Sequence, residues 1–133
     1  MKVVIDTNCW FGILPPDAAY GFLLDGLIEG NFSLAVSTDV VLEYREILGK
    51  KLRKPAASDF IQILEILPNV ERISPSFRFN LIIADPDDNK FVDCAVAANA
   101  DYIVTDDRHF KILSKIQFPK ITTIGLDAFS RLL

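Results

Sequence analysis

The chain has 133 residues, half of them hydrophobic and 24% charged, with a formal net charge of −4. This composition supports one folded domain, residues 1–133, with a real apolar core, and it excludes a disordered chain. It also lacks the overall basic balance of a DNA-binding module, although local charge, rather than the sum, governs an enzyme that acts on nucleic acid.

No run of about 18 apolar residues occurs, so no transmembrane helix and no membrane partner is expected. Met1 leads into Lys2-Val3-Val4-Ile5 without the apolar stretch and cleavage site of a secretory signal, and the expected location is cytoplasmic. There Cys9 and Cys94 read as free thiols, used as small buried hydrophobes.

In chain order, residues 2–5 read as a buried strand, because a continuous apolar run suits a parallel sheet covered on both faces. Pro15-Pro16-Asp17 reads as a helix entry, with Tyr20, Phe22, Leu23, Leu24, Leu27 and Ile28 apolar and a stop near Gly30. Phe32 to Val36 is a second strand. Ser37, Thr38 and Asp39 offer caps for a helix with Val40, Val41, Tyr44, Ile47 and Leu48 on its apolar face. A basic run from Lys50 to Lys54 ends at Pro55, and Ser58 to Leu67 is helical. Val70 to Ile73 is a strand, Asp85-Pro86-Asp87-Asp88 a turn with Asp88 as cap, and Asn89 to Asn99 a helix. Tyr102 to Thr105 and Ile121 to Ile124 are strands, Phe110 to Leu113 a short helix, and Leu126 to Leu133 a closing helix. Strands alternating with helices imply βαβ units and a parallel sheet.

Ligands of such sheets sit at the carboxyl ends of the strands, and four acids fall where the chain can reach that edge. Asp6 closes the first strand. Glu43 borders the apolar stripe of its helix, with Val40 and Ile47 as neighbours, and Glu46 is the alternative acid there. Asp93 lies among Asn89, Val96 and Ala97. Asp106 and Asp107 end the strand before them, and adjacent side chains in extended backbone point to opposite sides, so only one faces a given site. Carboxylates gathered without a matching Lys or Arg are costly unless a divalent cation neutralises them. Such an oxygen set is natural for Mg²⁺ or Mn²⁺, and the chemistry it points to is metal-assisted hydrolysis of phosphodiesters.

The segments Val-Ile-Asp-Thr-Asn at 4–8, Ser-Thr-Asp-Val-Val-Leu-Glu at 37–43, Asp-Asn-Lys-Phe-Val-Asp-Cys-Ala at 88–95 and Ala-Asp-Tyr-Ile-Val-Thr-Asp-Asp-Arg-His-Phe at 100–110 resemble the PIN-domain family of nucleases. The pattern is most similar to the small prokaryotic members that are toxins of toxin–antitoxin pairs. The resemblance implies a three-layer α/β/α fold with a mainly parallel five-stranded sheet, and Mg²⁺- or Mn²⁺-dependent endoribonuclease activity. It carries metal-binding and catalytic roles onto Asp6, Glu43, Asp93 and Asp107, with Asp106 in the intervening place. Many relatives have a further Asp two places after the fourth acid, where this chain has His109. The resemblance also implies an RNA substrate, an antitoxin partner covering the active-site groove, and a homodimer or higher homo-oligomer.

Around these acids, Thr7, Asn8 and Thr105 are candidates for holding carboxylates or metal-bound water. Arg108, beside the acid edge, is the best placed for a phosphate contact; Arg45, Lys50, Lys51, Arg53 and Lys54 are further candidates or else a solvated helix end. His109 reads as a surface residue, and Trp10 and Phe11 as core aromatics ahead of a base-stacking role. Three other functions compete with the toxin reading: a housekeeping RNA-processing nuclease, a catalytically silent RNA- or protein-binding module, and a phosphoacceptor signalling module. The last fits poorly, because Thr7 rather than a second acid follows Asp6 and no Lys follows the last strand.

Overall fold

A computed structural model describes all 133 residues, Met1–Leu133. Five strands, β1 (Lys2–Ile5), β2 (Ser33–Ser37), β3 (Val70–Ile73), β4 (Tyr102–Val104) and β5 (Thr123–Ile124), form one sheet in the order β3-β2-β1-β4-β5. Every pairing is parallel, with Val4 opposite Ile103 and Ile5 opposite Val104 in the central pair. Helices α1 (Phe22–Ile28), α2 (Thr38–Lys51), α3 (Ala56–Ile66), α4 (Asn89–Ala98) and α5 (Leu126–Arg131) cover both faces, giving the expected three-layer α/β/α architecture. No helix is long and apolar enough to cross a membrane.

The strand order locates the site. The chain builds outward from β1 to β2 and β3, then returns past them to place β4 on the other side of β1. The crevice where connections leave in opposite directions lies beyond the carboxyl ends of β1 and β4, the usual ligand position in an open parallel sheet. Val3, Val4, Ile5, Ile103 and Val104 have no solvent exposure, so the two strands that carry the crevice are packed on both faces.

An aromatic cluster fixes α2 against this edge. Tyr44 is fully buried, packs edge-on to Trp10 at 5.8 Å, and lies near Phe60 and Phe91. Each such ring contributes roughly 1.5–3 kcal/mol by burial. The Tyr44 hydroxyl also donates to the Ile5 carbonyl at the very end of β1. Trp10 and Phe11 accordingly sit as packing residues, Trp10 1% exposed and Phe11 partly buried against the core.

Several boundaries differ from the sequence reading. The segment after Pro15 forms turns, with Ala18 N–H bonding Pro15 O and Gly21 N–H bonding Ala18 O, and α1 begins only at Phe22. A 3₁₀ helix at Thr7–Gly12, packed through Trp10, takes the place next to β1. Ser37 is the cap of α2, its Oγ accepting from Val40 N–H at 3.2 Å. Residues 74–85, between β3 and the 3₁₀ turn Pro86–Asp88, carry no regular structure and form a strap along α4. Asn89 secures it: its Oδ1 accepts from Ile82 N–H and its Nδ2 donates to Ile82 O, both at 2.9 Å.

Candidate metal and active site

Asp6 follows β1 and is 4% exposed. Its backbone N–H bonds Val104 O at 2.9 Å, which continues the β1–β4 ladder up to the acid itself. Its Oδ2 accepts from Thr105 Oγ1 at 2.8 Å, and the same Thr105 oxygen accepts from Asp107 N–H at 3.0 Å. One buried hydroxyl therefore ties the first acid to the loop bearing the last. Burial pushes the Asp6 carboxyl up to about 6; the Thr105 bond opposes the rise, while Asp107 and Glu43 add to it.

Glu43 reaches the same edge from the first turns of α2, next to the anchored Tyr44. Thr7 Oγ1 donates to its Oε2, and Lys90 Nζ lies 2.9 Å from its Oε1. The sequence reading assumed acids with no matching cation, and Lys90 corrects it. Burial acts to lower Lys90, but its bond and charge pairing with Glu43, followed by Asp87 and Asp39, raise it overall. Glu46, the alternative acid on α2, is exposed and pairs with Lys50 at 3.3 Å.

Asp106 and Asp107 bond different backbone groups but, contrary to the alternation of an extended backbone, both face one cleft. Asp106 is exposed and its Oδ1 accepts from Leu126 N–H at 3.3 Å, at the start of α5. A Cβ on Gly125 would sit 2.7 Å from that oxygen, so glycine is needed for this approach. Asp107 is half-buried and caps the 3₁₀ helix Arg108–Lys115 by accepting from His109 N–H at 2.9 Å. Both acids, with Asp6 and the exposed Asn8, line a cleft of about 410 Å³.

Asp88, read from the sequence as a cap, is the residue that reading missed as a site acid. Its backbone is already helical, at φ −71° and ψ −17°, and its side chain makes no capping bond. It is 8% exposed, and its Oδ2 is buried with no hydrogen-bond partner. Burial first, then the charges of Asp85, Asp6, Asp107 and Glu43, together push it up to about 7. Those neighbours define a shared negative field. The one sequence signal for Asp88 was the density of acids in Asp85-Pro86-Asp87-Asp88.

Asp93 is not brought to this group. Its Oδ1 accepts from Phe79 N–H of the strap at 3.0 Å, and it lines one pocket with Arg72, Ile73 and Phe79 and a smaller one with Ser37, Arg78 and Lys90. Burial raises its carboxyl, while the Phe79 N–H and Arg78 oppose the rise, and no other site acid contributes. Asp93 sits more than one helical turn beyond Asp88, and the helix turns it toward the strap.

The donors present fit a divalent cation. They are carboxylate oxygens plus one imidazole, and two of them, Asp88 Oδ2 and His109 Nδ1, are buried without partners. Asp85, Asp88 and His109 offer ligand atoms within 4.8 Å of one another. The cysteines stay outside this chemistry: both are buried, free and pushed up to about 12 by burial.

Among the basic residues, Arg108 is exposed at the start of its 3₁₀ helix beside Asp107. Arg45, Arg53 and Lys54 line a groove of about 520 Å³ between α2 and α3. Arg45 is two positions from Glu43 and so projects from a different side of α2; it approaches Glu65 at 4.0 Å. Lys51 lies 5.6 Å over the Phe11 ring.

Comparison with known proteins agrees with this architecture. The family model described as PIN domain matches residues 2–109. The chain is 31% identical over 132 residues to an uncharacterised protein of Methanocaldococcus jannaschii, spanning 95% of this chain and 84% of that one. In structure it is similar to a chain of VapBC2 from Rickettsia felis, solved bound to a DNA fragment from their promoter. That match has a TM-score of 0.63 and 21% identity, and covers 96% of this chain and 100% of the other.

Proposed function

This chain belongs to the PIN-domain family, and on that premise we propose that it is a metal-dependent endoribonuclease acting as the toxin of a toxin–antitoxin pair. Family membership carries nuclease activity in general and dependence on divalent metal. RNA as substrate, the toxin role, an antitoxin partner and a homodimer are supported by the sequence resemblance and by the fold shared with VapBC2.

The observation that carries the reading is the buried, unpartnered oxygen of Asp88 in a field shared with Asp6, Glu43 and Asp107. An ion of the Mg²⁺ or Mn²⁺ class would be held at this edge by Asp88, with Asp6, Glu43 and Asp107 supplying the negative field around it, and when bound it would supply charge stabilisation to the phosphodiester and acidify an attacking water. In this reading Asp93 anchors the strap and is not a ligand. Thr105 orients Asp6, while Thr7 and Lys90 orient Glu43. Lys90 also reduces the repulsion among the acids and is available to a substrate phosphate, as is Arg108. Asn8 lies at the mouth of the cleft and can bond a metal-bound water. Lys50, Lys51, Arg53, Lys54 and Arg45 would extend the phosphate track, and their contribution would weaken with salt.

Purified protein should cut RNA with Mn²⁺ or Mg²⁺ and stop on addition of EDTA. Asp6→Asn should lower cleavage by about two orders of magnitude or more while circular dichroism stays unchanged. Cleavage by Asp6→Asn at the wild-type rate would remove the first ligand from the scheme. Co-purification with a small DNA-binding protein encoded beside the gene would support the toxin role over that of a housekeeping nuclease.

A further inference from the structure

We propose that His109, together with Asp85 and Asp88, gives this edge a nitrogen ligand, so that the site selects a first-row transition ion such as Mn²⁺ or Co²⁺ over Mg²⁺. The inference rests on the metal-site reading above and specifies which ions that site takes.

The geometry carries it. His109 Nδ1 stands 3.8 Å from Asp88 Oδ2 and 3.5 Å from Asp107 Oδ1. Both separations exceed a hydrogen bond, and neither Nδ1 nor Asp88 Oδ2 has any other partner although both atoms are buried. Two buried polar atoms that face each other without bonding call for a third body between them. Ligand atoms around an ion at roughly 2.1 Å stand about 3.0–4.2 Å apart, which is the spacing found here. Asp85 completes the group, with its ligand atom within 4.8 Å of the others.

The chain builds this cluster from two directions. Asp85 ends the strap that Asn89 and Asp93 tie to α4, and its Oδ1 accepts from Asp87 N–H at 3.2 Å, leaving its second oxygen free to ligate. His109 is aimed by the backbone bond from its own N–H to Asp107 Oδ1. Mg²⁺ demands near-ideal oxygen octahedra and keeps its waters, whereas imidazole nitrogen suits transition ions. A mixed nitrogen–oxygen set therefore discriminates by donor type.

The test is metal binding, read apart from cleavage. The chain has one histidine, so in tag-free protein an imidazole signal on the ion identifies His109 without any substitution. Pulsed electron paramagnetic resonance of the Mn²⁺-loaded protein should show ¹⁴N modulation from that imidazole, and His109→Asp should remove it. Calorimetric titration of metal-free protein should show His109→Asp lowering the Co²⁺-to-Mg²⁺ affinity ratio by about tenfold or more. His109→Gln and Asp85→Asn should each lower Co²⁺ affinity. Absent ¹⁴N modulation, or an unchanged ratio with both ions still bound, overturns the inference and leaves the metal-dependent nuclease intact. Tighter binding of both ions by His109→Ala would make His109 a resident counter-charge and overturn it as well. Failure of wild-type protein to bind any of these ions would overturn the metal reading itself.

Discussion

Asp88 and Asp93 lie at the start and in the middle of the same helix, are both 8% exposed, and have opposite fates. Asp93 spends an oxygen on the Phe79 N–H and holds the strap against α4. Asp88 spends nothing on capping, keeps one buried oxygen without a partner, and sits in the field of Asp85, Asp6, Asp107 and Glu43. One side of the helix thus has its carboxylate hydrogen-bonded to the strap. The other carries unmet electrostatic demand, which is the state expected of a ligand-binding site. Burial and residue type are identical at the two positions, so hydrogen-bond accounting separates them.

The sharpest way to break this contrast is to exchange the consequences. Asp88→Asn should reduce metal-dependent cleavage by about a hundredfold or more and leave the fold stable, because it removes a charge that only a cation satisfies. Loss of stability with full activity would reverse the assignment. Next in size is Asn89→Ala, which leaves both the N–H and the C=O of buried Ile82 without their partner. It should cost about 1–3 kcal/mol for each group left dry, measured by denaturant unfolding, and should weaken metal binding by loosening the strap that presents Asp85. Asp93→Ala should cost about 1–2 kcal/mol by the same measurement, with a far smaller loss of cleavage per folded molecule than Asp88→Asn.

A pH dependence should also appear, carried mainly by the unsatisfied side. Asp6 and Asp88 have folded-state values raised from 3.8 to about 6 and about 7. A raised carboxyl is better tolerated in its protonated form, so its stabilising contribution is complete below about pH 4 and is lost as pH climbs through 6 and 7. Metal-free protein should therefore melt a few degrees lower at pH 8 than at pH 5. Asp88→Asn should flatten that fall, and millimolar Mn²⁺ should reverse it at pH 8 by binding the folded state. A melting temperature that rises from pH 5 to pH 8 without metal would contradict the crowding of these acids.

Much of the frame was legible because the signals are local. Apolar runs at 2–5 and 102–104 mark β1 and β4, Ser37 marks the start of α2, and Asn99, at φ 53°, ends α4 in the left-handed conformation that asparagine tolerates. The α1 boundary was not legible, since Pro15 is as suited to the turn it makes as to the helix entry it resembles. Lys90 was missed because its partner Glu43 comes from another element.

The order of residues alone determined a parallel α/β sheet with Asp6 and Asp107 at the carboxyl ends of two strands, since periodicity and strand polarity are properties of short segments. Tertiary structure decided which of the remaining acids join them. The rotation of α4 and the course of residues 74–85 brought Asp88, Lys90 and His109 to the crevice and turned Asp93 away. Those placements depend on hydrogen bonds between distant segments, from Asn89 to Ile82 and from Asp93 to Phe79, and no local pattern encodes which partner a carboxylate will find.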